Sequence, residues 1–308
     1  MKATRDAFGD QLVYSGETNE SIVALSADLG KATKINKFAD AYPDRFFEIG
    51  IAENNMIGIA SGLSEHGYKV FLASFASFLT GKYDTIRCSL SYSNSPCVVV
   101  GTHGGLAIGK DGVTQMGLED MSLMRSLPDM CVINPSTYNQ TKAVVKHLCE
   151  NDLDCVNYLR LGRQPVAESY EDTVEFEFGK GVICRQKENP DAVVYSTGCV
   201  LSDVLDATKE LNVTVIDMPF IKPIDKEIIL NNESRLVFTV EDHSIIGGLG
   251  SSVSEVITDY GLNTRLCRIG VNDIFPESGS PADLYAKYGL DSTSIRERIV
   301  NEMDKQRD

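Results

Sequence analysis

The chain has 308 residues, 43% hydrophobic and 24% charged, which leaves room for two domains with substantial cores. With 29 basic and 44 acidic residues its net charge is −15. That argues against a nucleic-acid binder, because phosphate backbones are held by basic surfaces. An anionic small molecule, which needs only one or two local cations, stays open. No apolar run is long enough to span a membrane. Residues 1–10 carry Lys2, Arg5, Asp6 and Asp10 with no apolar stretch behind them, unlike a secretory signal. Eight cysteines without a CxxC read as free thiols in a reducing cytoplasm, not as a disulfide framework or zinc site.

Short apolar runs alternate with helical patterns along the chain. Strands are expected at 22–26, 46–50, 69–74, 97–101, 131–134 and 155–160. Helices are expected at 34–41, 53–66, 75–91, 118–126 and 136–150. In the second of these, Met56, Ile57, Ile59, Ala60 and Leu63 share one face, and Gly67 follows as a C-terminal cap. Ser136 followed by Gln140 resembles a helix start. Residues 162–191 are acidic and poorly periodic, with Glu168, Glu171, Asp172, Glu175 and Glu177, and read as a linker with room for an edge strand. A second series follows: strands at 192–196, 213–218, 235–240 and 264–269, helices at 201–211 and 251–260, and a charged helical tail at 281–308. The expected fold class is α/β, with two consecutive domains built on mainly parallel sheets. Their expected boundaries are 1–165, a linker 166–190, and 191–308.

Four segments carry chemistry. The first is Arg45-Phe-Phe-Glu-Ile-Gly-Ile-Ala-Glu53-Asn-Asn-Met, a strand end running into a helix start. By spacing alone Glu53 is a solvated acid in a first helical turn, where the helix dipole favours it. Glu48, five residues earlier, is given no role. The second is Ser74-Phe75-Ala-Ser-Phe78-Leu-Thr-Gly-Lys-Tyr83, whose aromatics would ordinarily be core. The third is Gly101-Thr-His103-Gly-Gly-Leu-Ala-Ile-Gly109-Lys-Asp111-Gly112-Val-Thr-Gln115, and the fourth is Tyr158-Leu-Arg160-Leu-Gly-Arg163-Gln-Pro.

Taken together these segments resemble the transketolase family over nearly the whole chain. They cover only the C-terminal half of such an enzyme, its pyrimidine-binding and C-terminal domains. The resemblance implies that Glu53 hydrogen-bonds the aminopyrimidine of thiamine diphosphate and promotes loss of the thiazolium proton, a role suited to a carboxyl in a low-dielectric pocket. It implies that Phe75 and Phe78, three apart on one helical face, stack on the aminopyrimidine. Tyr83 matches a third aromatic in one branch of the family, whereas other members carry it where Gly81 stands. Asp28, in Ser26-Ala-Asp28-Leu, matches a position near the cofactor at the subunit interface.

His103, Asp111 and Gln115 match the family's substrate loop. There His103 and Gln115 act around the reacting carbonyl and hydroxyls, and Asp111 reads hydroxyl stereochemistry. Arg163 matches the arginine that binds the sugar phosphate, for which a guanidinium is apt. Arg160 is expected to pair with an acid instead. Gly104, Gly105 and Lys110 depart from the acidic or polar residues more frequent in the family. Glu241-Asp-His243 and the glycine-rich Gly247-Gly-Leu-Gly250 resemble the C-terminal domain, with His243 structural and the turn a place where a helix start could hold an anion.

The Gly-Asp-Gly motif and later asparagine with which thiamine enzymes hold Mg2+ are missing. The resemblance therefore implies an N-terminal partner subunit carrying the diphosphate and Mg2+, with this chain contributing no metal ligand. It also implies an α2β2 assembly with paired active sites, and sugar phosphates as substrates. Three other readings are weighed against this. One is the β subunit of a 2-oxoacid dehydrogenase, which lacks the His103/Asp111/Gln115 spacing. The others are a deoxyxylulose phosphate synthase and a non-catalytic interaction protein that keeps the fold.

Overall fold

The computed structural model describes residues 1–170 and 176–307. Glu171, Asp172 and Glu175 of the acidic stretch and Asp308 of the tail lie outside the described residues. Seven strands form the first sheet, in the order Phe220–Lys222, Met130–Ile133, Val156–Leu161, Val98–Thr102, Lys69–Phe75, Ile22–Ser26 and Phe46–Glu48. All neighbours pair in parallel except Phe220–Lys222, which is antiparallel. The five central strands bury nearly every residue, because helices cover both faces. The second sheet runs Arg265–Val271, Leu236–Ser244, Ala192–Thr197, Val213–Asp217 and Val182–Arg185, antiparallel only at the last. Two consecutive α/β units with mainly parallel sheets are thus the fold. Among the described residues no helix is long and apolar enough to cross a membrane.

The helix Glu53–Glu65 behaves as its sequence requires. Met56, Ile57 and Ala60 are buried, and Ile59 and Leu63 pack against the same core. His66 ends it and Gly67 follows at φ +86°. Tyr68 N–H then donates to Leu63 and Gly67 N–H to Ser64, the paired bonds of a Schellman cap. The helix expected at 136–150 runs Tyr138–Glu150, with Thr137 rather than Ser136 as its N-cap. Thr137 Oγ1 accepts the Gln140 amide at 3.2 Å, while Gln140 Oε1 accepts that of Ser136 at 2.7 Å.

Three departures have physical causes. The first helix, Thr4–Thr18, is weakly patterned and was not expected. Gly9 and Gly16 let it lie close to the chain: a Cβ at Gly9 would meet the Lys34 carbonyl at 2.5 Å. The expected helix 75–91 breaks into Ala76–Thr80, Tyr83–Ile86 and a π turn Arg87–Tyr92, interrupted at Gly81. The stretch 166–190, by contrast, holds Val182–Arg185, an edge strand of the second sheet for which its sequence left room. Phe220–Lys222, deep in the second series, crosses back to complete the first sheet.

Candidate active site

Five expected site residues stand in one row. The strands ending at Leu161, Thr102, Phe75, Ser26 and Glu48 are consecutive neighbours in the first sheet. Arg163, His103, Phe75, Asp28 and Glu53 each end or follow one of them. All five therefore lie at the carboxyl edge, where open parallel sheets place their ligand sites. At about 4.8 Å per strand the row spans roughly 19 Å, the scale of an extended cofactor with its substrate.

At one end, Glu53 opens its helix and is buried, with no hydrogen bond or ion pair among the described residues. With no partner in its own chain, this carboxylate is free to accept a donor from outside it. Glu48, given no role by the sequence, is instead the local organiser. Its Oε1 accepts the amides of Asp28 at 2.7 Å and Gly50 at 3.0 Å. Asp28 itself is exposed, at φ +61°.

In the middle of the row, the Phe75 ring lies 3.9 Å from the His103 ring and 5.2 Å from Phe78, nearly parallel to the latter. Phe75 is the last residue of its strand and the N-cap of Ala76–Thr80, so the two phenylalanines do not share a helical face. The strand-to-helix turn brings the rings together instead. Tyr83 is not part of this group. It packs against the core on the helix Glu53–Glu65 side, and its hydroxyl meets Ser126 Oγ at 2.9 Å.

His103 follows its strand directly at φ +60°, an uncommon conformation for a non-glycine residue. Its Nε2 lies 3.0 Å from Arg5 Nη1 and its Nδ1 2.9 Å from Thr102 Oγ1. Burial, with the Arg5 and Arg163 charges adding to it, lowers the imidazole pKa to about 3. His103 is thus neutral at physiological pH. Asp111 is exposed and pairs with Arg163 at 3.5 Å, and Arg163 also donates to the Ile108 carbonyl at 2.9 Å. An open cleft of 510 Å³ lies over this pair, lined by Arg5, Lys110, Asp111, Arg163 and Pro281 among others. Gln115 is half-buried on the turn Val113–Gln115, which packs against the helix carrying Phe78. Arg5 was missed by sequence reasoning, since nothing local in the first helix marks it.

The loop that follows His103 is anchored from below. Arg160 Nε donates to Asp120 Oδ2 at 2.9 Å, and its Nη2 donates to the carbonyls of Gly117 and Asp242. Arg160 thus pairs with an acid, as its sequence suggested. Burial alone would raise the Asp120 pKa, but Arg160, His243 and the Tyr158 hydroxyl hold it below the usual range. Asp242 accepts the Leu106 amide at 2.9 Å and the Tyr285 hydroxyl at 2.6 Å. This explains two of the sequence departures. A Cβ at Gly105 would sit 2.0 Å from Asp242 Oδ2, and one at Gly104 would sit 2.7 Å from the Arg160 guanidinium. The glycines make room for this network. The helix start after Gly248 is likewise already filled: Glu241 accepts the Leu249 and Gly250 amides, each at 2.8 Å. His243 is fully buried beside it, its Nδ1 2.7 Å from the Ser244 carbonyl.

Among the described residues no group of three or more His, Cys, Asp or Glu side chains is arranged to hold a metal ion. The site's residues fit the aminopyrimidine end of a thiamine cofactor, through a partnerless buried carboxylate and a pair of stacked rings.

Comparison with known proteins points the same way. The family model "Transketolase, pyrimidine binding domain" matches residues 1–168, and "Transketolase, C-terminal domain" matches residues 179–295. A Methanocaldococcus jannaschii protein named as a transketolase C-terminal section is 41% identical over 99% of this chain and 98% of its own length. A 1-deoxy-D-xylulose-5-phosphate synthase of Caldanaerobacter subterraneus is 34% identical and a human transketolase 33%. This chain spans only 49% and 48% of their lengths. A solved structure titled "Split gene transketolase, inactive beta4 tetramer" superimposes with a TM-score of 0.89 at 38% identity, covering 99% of each chain. By these matches, which run through both α/β units, the chain belongs to the transketolase family and corresponds to its C-terminal section.

Proposed function

We propose that this chain is the C-terminal subunit of a split, cytoplasmic transketolase. It moves a two-carbon ketol unit from a ketose phosphate to an aldose, and is active only with an N-terminal partner subunit in an α2β2 assembly. Residues 1–165 form the pyrimidine-binding domain, 166–190 the linker and 191–308 the C-terminal domain. The partner holds the diphosphate of thiamine diphosphate and its Mg2+. The observation that carries the reading is Glu53, a buried carboxylate without an intrachain partner at the end of the strand-edge row. The apolar residues beside it are exposed, Phe47 by 40% and Ile51 by 81%, as a face meant for another subunit would be. The likeness to a split-gene transketolase that forms an inactive beta4 tetramer supports the need for a second chain.

When bound, the cofactor supplies the carbon nucleophile that the protein lacks. Glu53 shares a proton with the ring nitrogen of the aminopyrimidine. Phe75 and Phe78 bury the ring and exclude water from it. Asp28 lies beside the cofactor at the subunit boundary, while Tyr83, turned to the core beside Ser126, takes no part in the stack. His103 and Gln115 hydrogen-bond the sugar carbonyl and hydroxyls, Asp111 a hydroxyl, and Arg163 the phosphate. Coexpression with a partner bearing Gly-Asp-Gly, followed by a glycolyl-transfer assay from xylulose 5-phosphate with thiamine diphosphate and Mg2+, tests this. Transfer should require both chains. Glu53→Gln should lower it by at least about 10²-fold, the scale of a lost proton-transfer group. Transfer by this chain alone, or an unaffected Glu53→Gln variant, would refute the reading.

A further inference from the structure

We propose that Arg5 couples the cleft beside Arg163 to His103. An anionic group entering the cleft draws the Arg5 guanidinium away from the imidazole and frees His103 Nε2 for the substrate. The inference rests on the reading of His103 and the cleft as parts of a sugar-phosphate site.

The hydrogen-bond logic is closed. A guanidinium has only donors, so Nε2, 3.0 Å from Arg5 Nη1, must be the acceptor. The neutral ring then carries its proton on Nδ1, where it donates to Thr102 Oγ1 at 2.9 Å. The Thr102 hydroxyl in turn donates to the Ser74 carbonyl at 3.3 Å. Both ring nitrogens are occupied. While Arg5 stays in place, no sugar hydroxyl can bond Nε2.

Arg5 is held loosely enough to leave. Its Nη1 is shared between the imidazole and the Ala32 carbonyl at 2.8 Å, and its buried Nε has no partner. The cleft that it lines also carries Lys110 and Arg163, against the single carboxylate of Asp111. This local surplus of positive charge stands in a chain of net charge −15. A phosphate dianion would neutralise the surplus and offer several acceptors to a planar fork of donors. A phosphate adds opposite charge and a second parallel bond, neither of which the single bond to a neutral imidazole has. Competition for Arg5 therefore favours the anion, and the imidazole is released when, and because, the anionic end of the substrate is seated. Arg5 acts on the reacting carbon only through His103, as a positioning residue.

The test uses the full chain and inorganic phosphate as probe. The 15N signal of His103 Nε2, assigned with His103→Gln, is followed as phosphate replaces chloride at constant ionic strength. A saturable shift is expected in the parent chain and should vanish in Arg5→Gln. Phosphate that binds by calorimetry without moving this signal, or a shift that survives in Arg5→Gln, would overturn the coupling. If Arg5→Gln does not fold, the parent titration decides by itself. In the assembled enzyme, free phosphate should raise kcat/KM for unphosphorylated xylulose about fivefold or more, the range of a typical coupling between sites. Inhibition alone would count against the proposal. No transfer from any ketose, with the phosphate-dependent shift intact, would sink the ketol-transfer reading and leave the coupling standing.

Discussion

The Glu48 carboxylate accepts the backbone amide of Asp28 at 2.7 Å, and so ties the turn after one strand of the first sheet to the segment that delivers Glu53 from the next. The same oxygen takes the Gly50 amide at 3.0 Å. Glu48→Ala should remove both tethers. Because Glu48 is exposed, the cost in stability should be only about 1 kcal/mol. Transfer activity should fall further, by about tenfold, because a displaced Glu53 loses its reach. Chemical denaturation beside a rate assay checks this, and an unchanged rate would remove Glu48 from the site.

Asp120 and Arg160 form a buried pair at 2.9 Å that also serves Tyr158, at 2.8 Å. Removing one partner leaves a charge stranded in the interior. Asp120→Ala should therefore lower unfolding free energy by about 3–5 kcal/mol. Urea denaturation reads the effect. A loss below about 1 kcal/mol would mean that the pair does not anchor the loop that follows His103.

Glu241 sets a pH dependence of stability. Burial raises its pKa to about 7, against the Gly250 and Leu249 amides that pull it down. A folded-state pKa above the unfolded value means that its contribution is fully present below about pH 4.5 and is lost as pH rises through 7. His243 runs the other way. Burial lowers its pKa to about 4, so its contribution is present above pH 6.5 and lost as pH falls through 4. In Glu241→Gln the share of the alkaline loss that Glu241 contributes should disappear, leaving that of Asp203 and Asp217, whose burial also raises their pKa values. Relative to the parent, that variant should gain a few kcal/mol between pH 4.5 and 7.5. Parallel stability curves for the two proteins would contradict the assignment.

Lys110 lines the cleft, is exposed, and has no hydrogen bond or ion pair among the described residues. Lys110→Glu should raise KM for xylulose 5-phosphate about fivefold, a modest effect because the side chain is solvated. KM for unphosphorylated xylulose should stay the same. The thermal midpoint should not move. Equal effects on both sugars would show that Lys110 does not read the phosphate.

Much of this molecule is legible in its residues. Strands buried on both faces are continuous runs such as Val98-Val-Val, and amphipathic helices such as Glu53–Glu65 show their period. The motif residues Glu53, Phe75, His103 and Arg163 are local signatures, each at or shortly after a strand end. What stayed hidden depends on groups distant in sequence. Arg5 meets His103 across 98 residues, and Arg160 meets Asp242 across 82. Phe220–Lys222 joins a sheet whose other strands all precede residue 162. The reason is physical. Periodicity and motif spacing record what a residue does within its own element, where the backbone sets the geometry. Hydrogen-bond partners across elements are chosen only when packing brings them within about 3 Å. The sequence by itself therefore determined the fold class, the family and the residue types at the sheet edge. Tertiary structure alone decided that Glu48 organises the turn beside Glu53, that Gly104 and Gly105 make room for a buried acid network, and that His103 is held by Arg5.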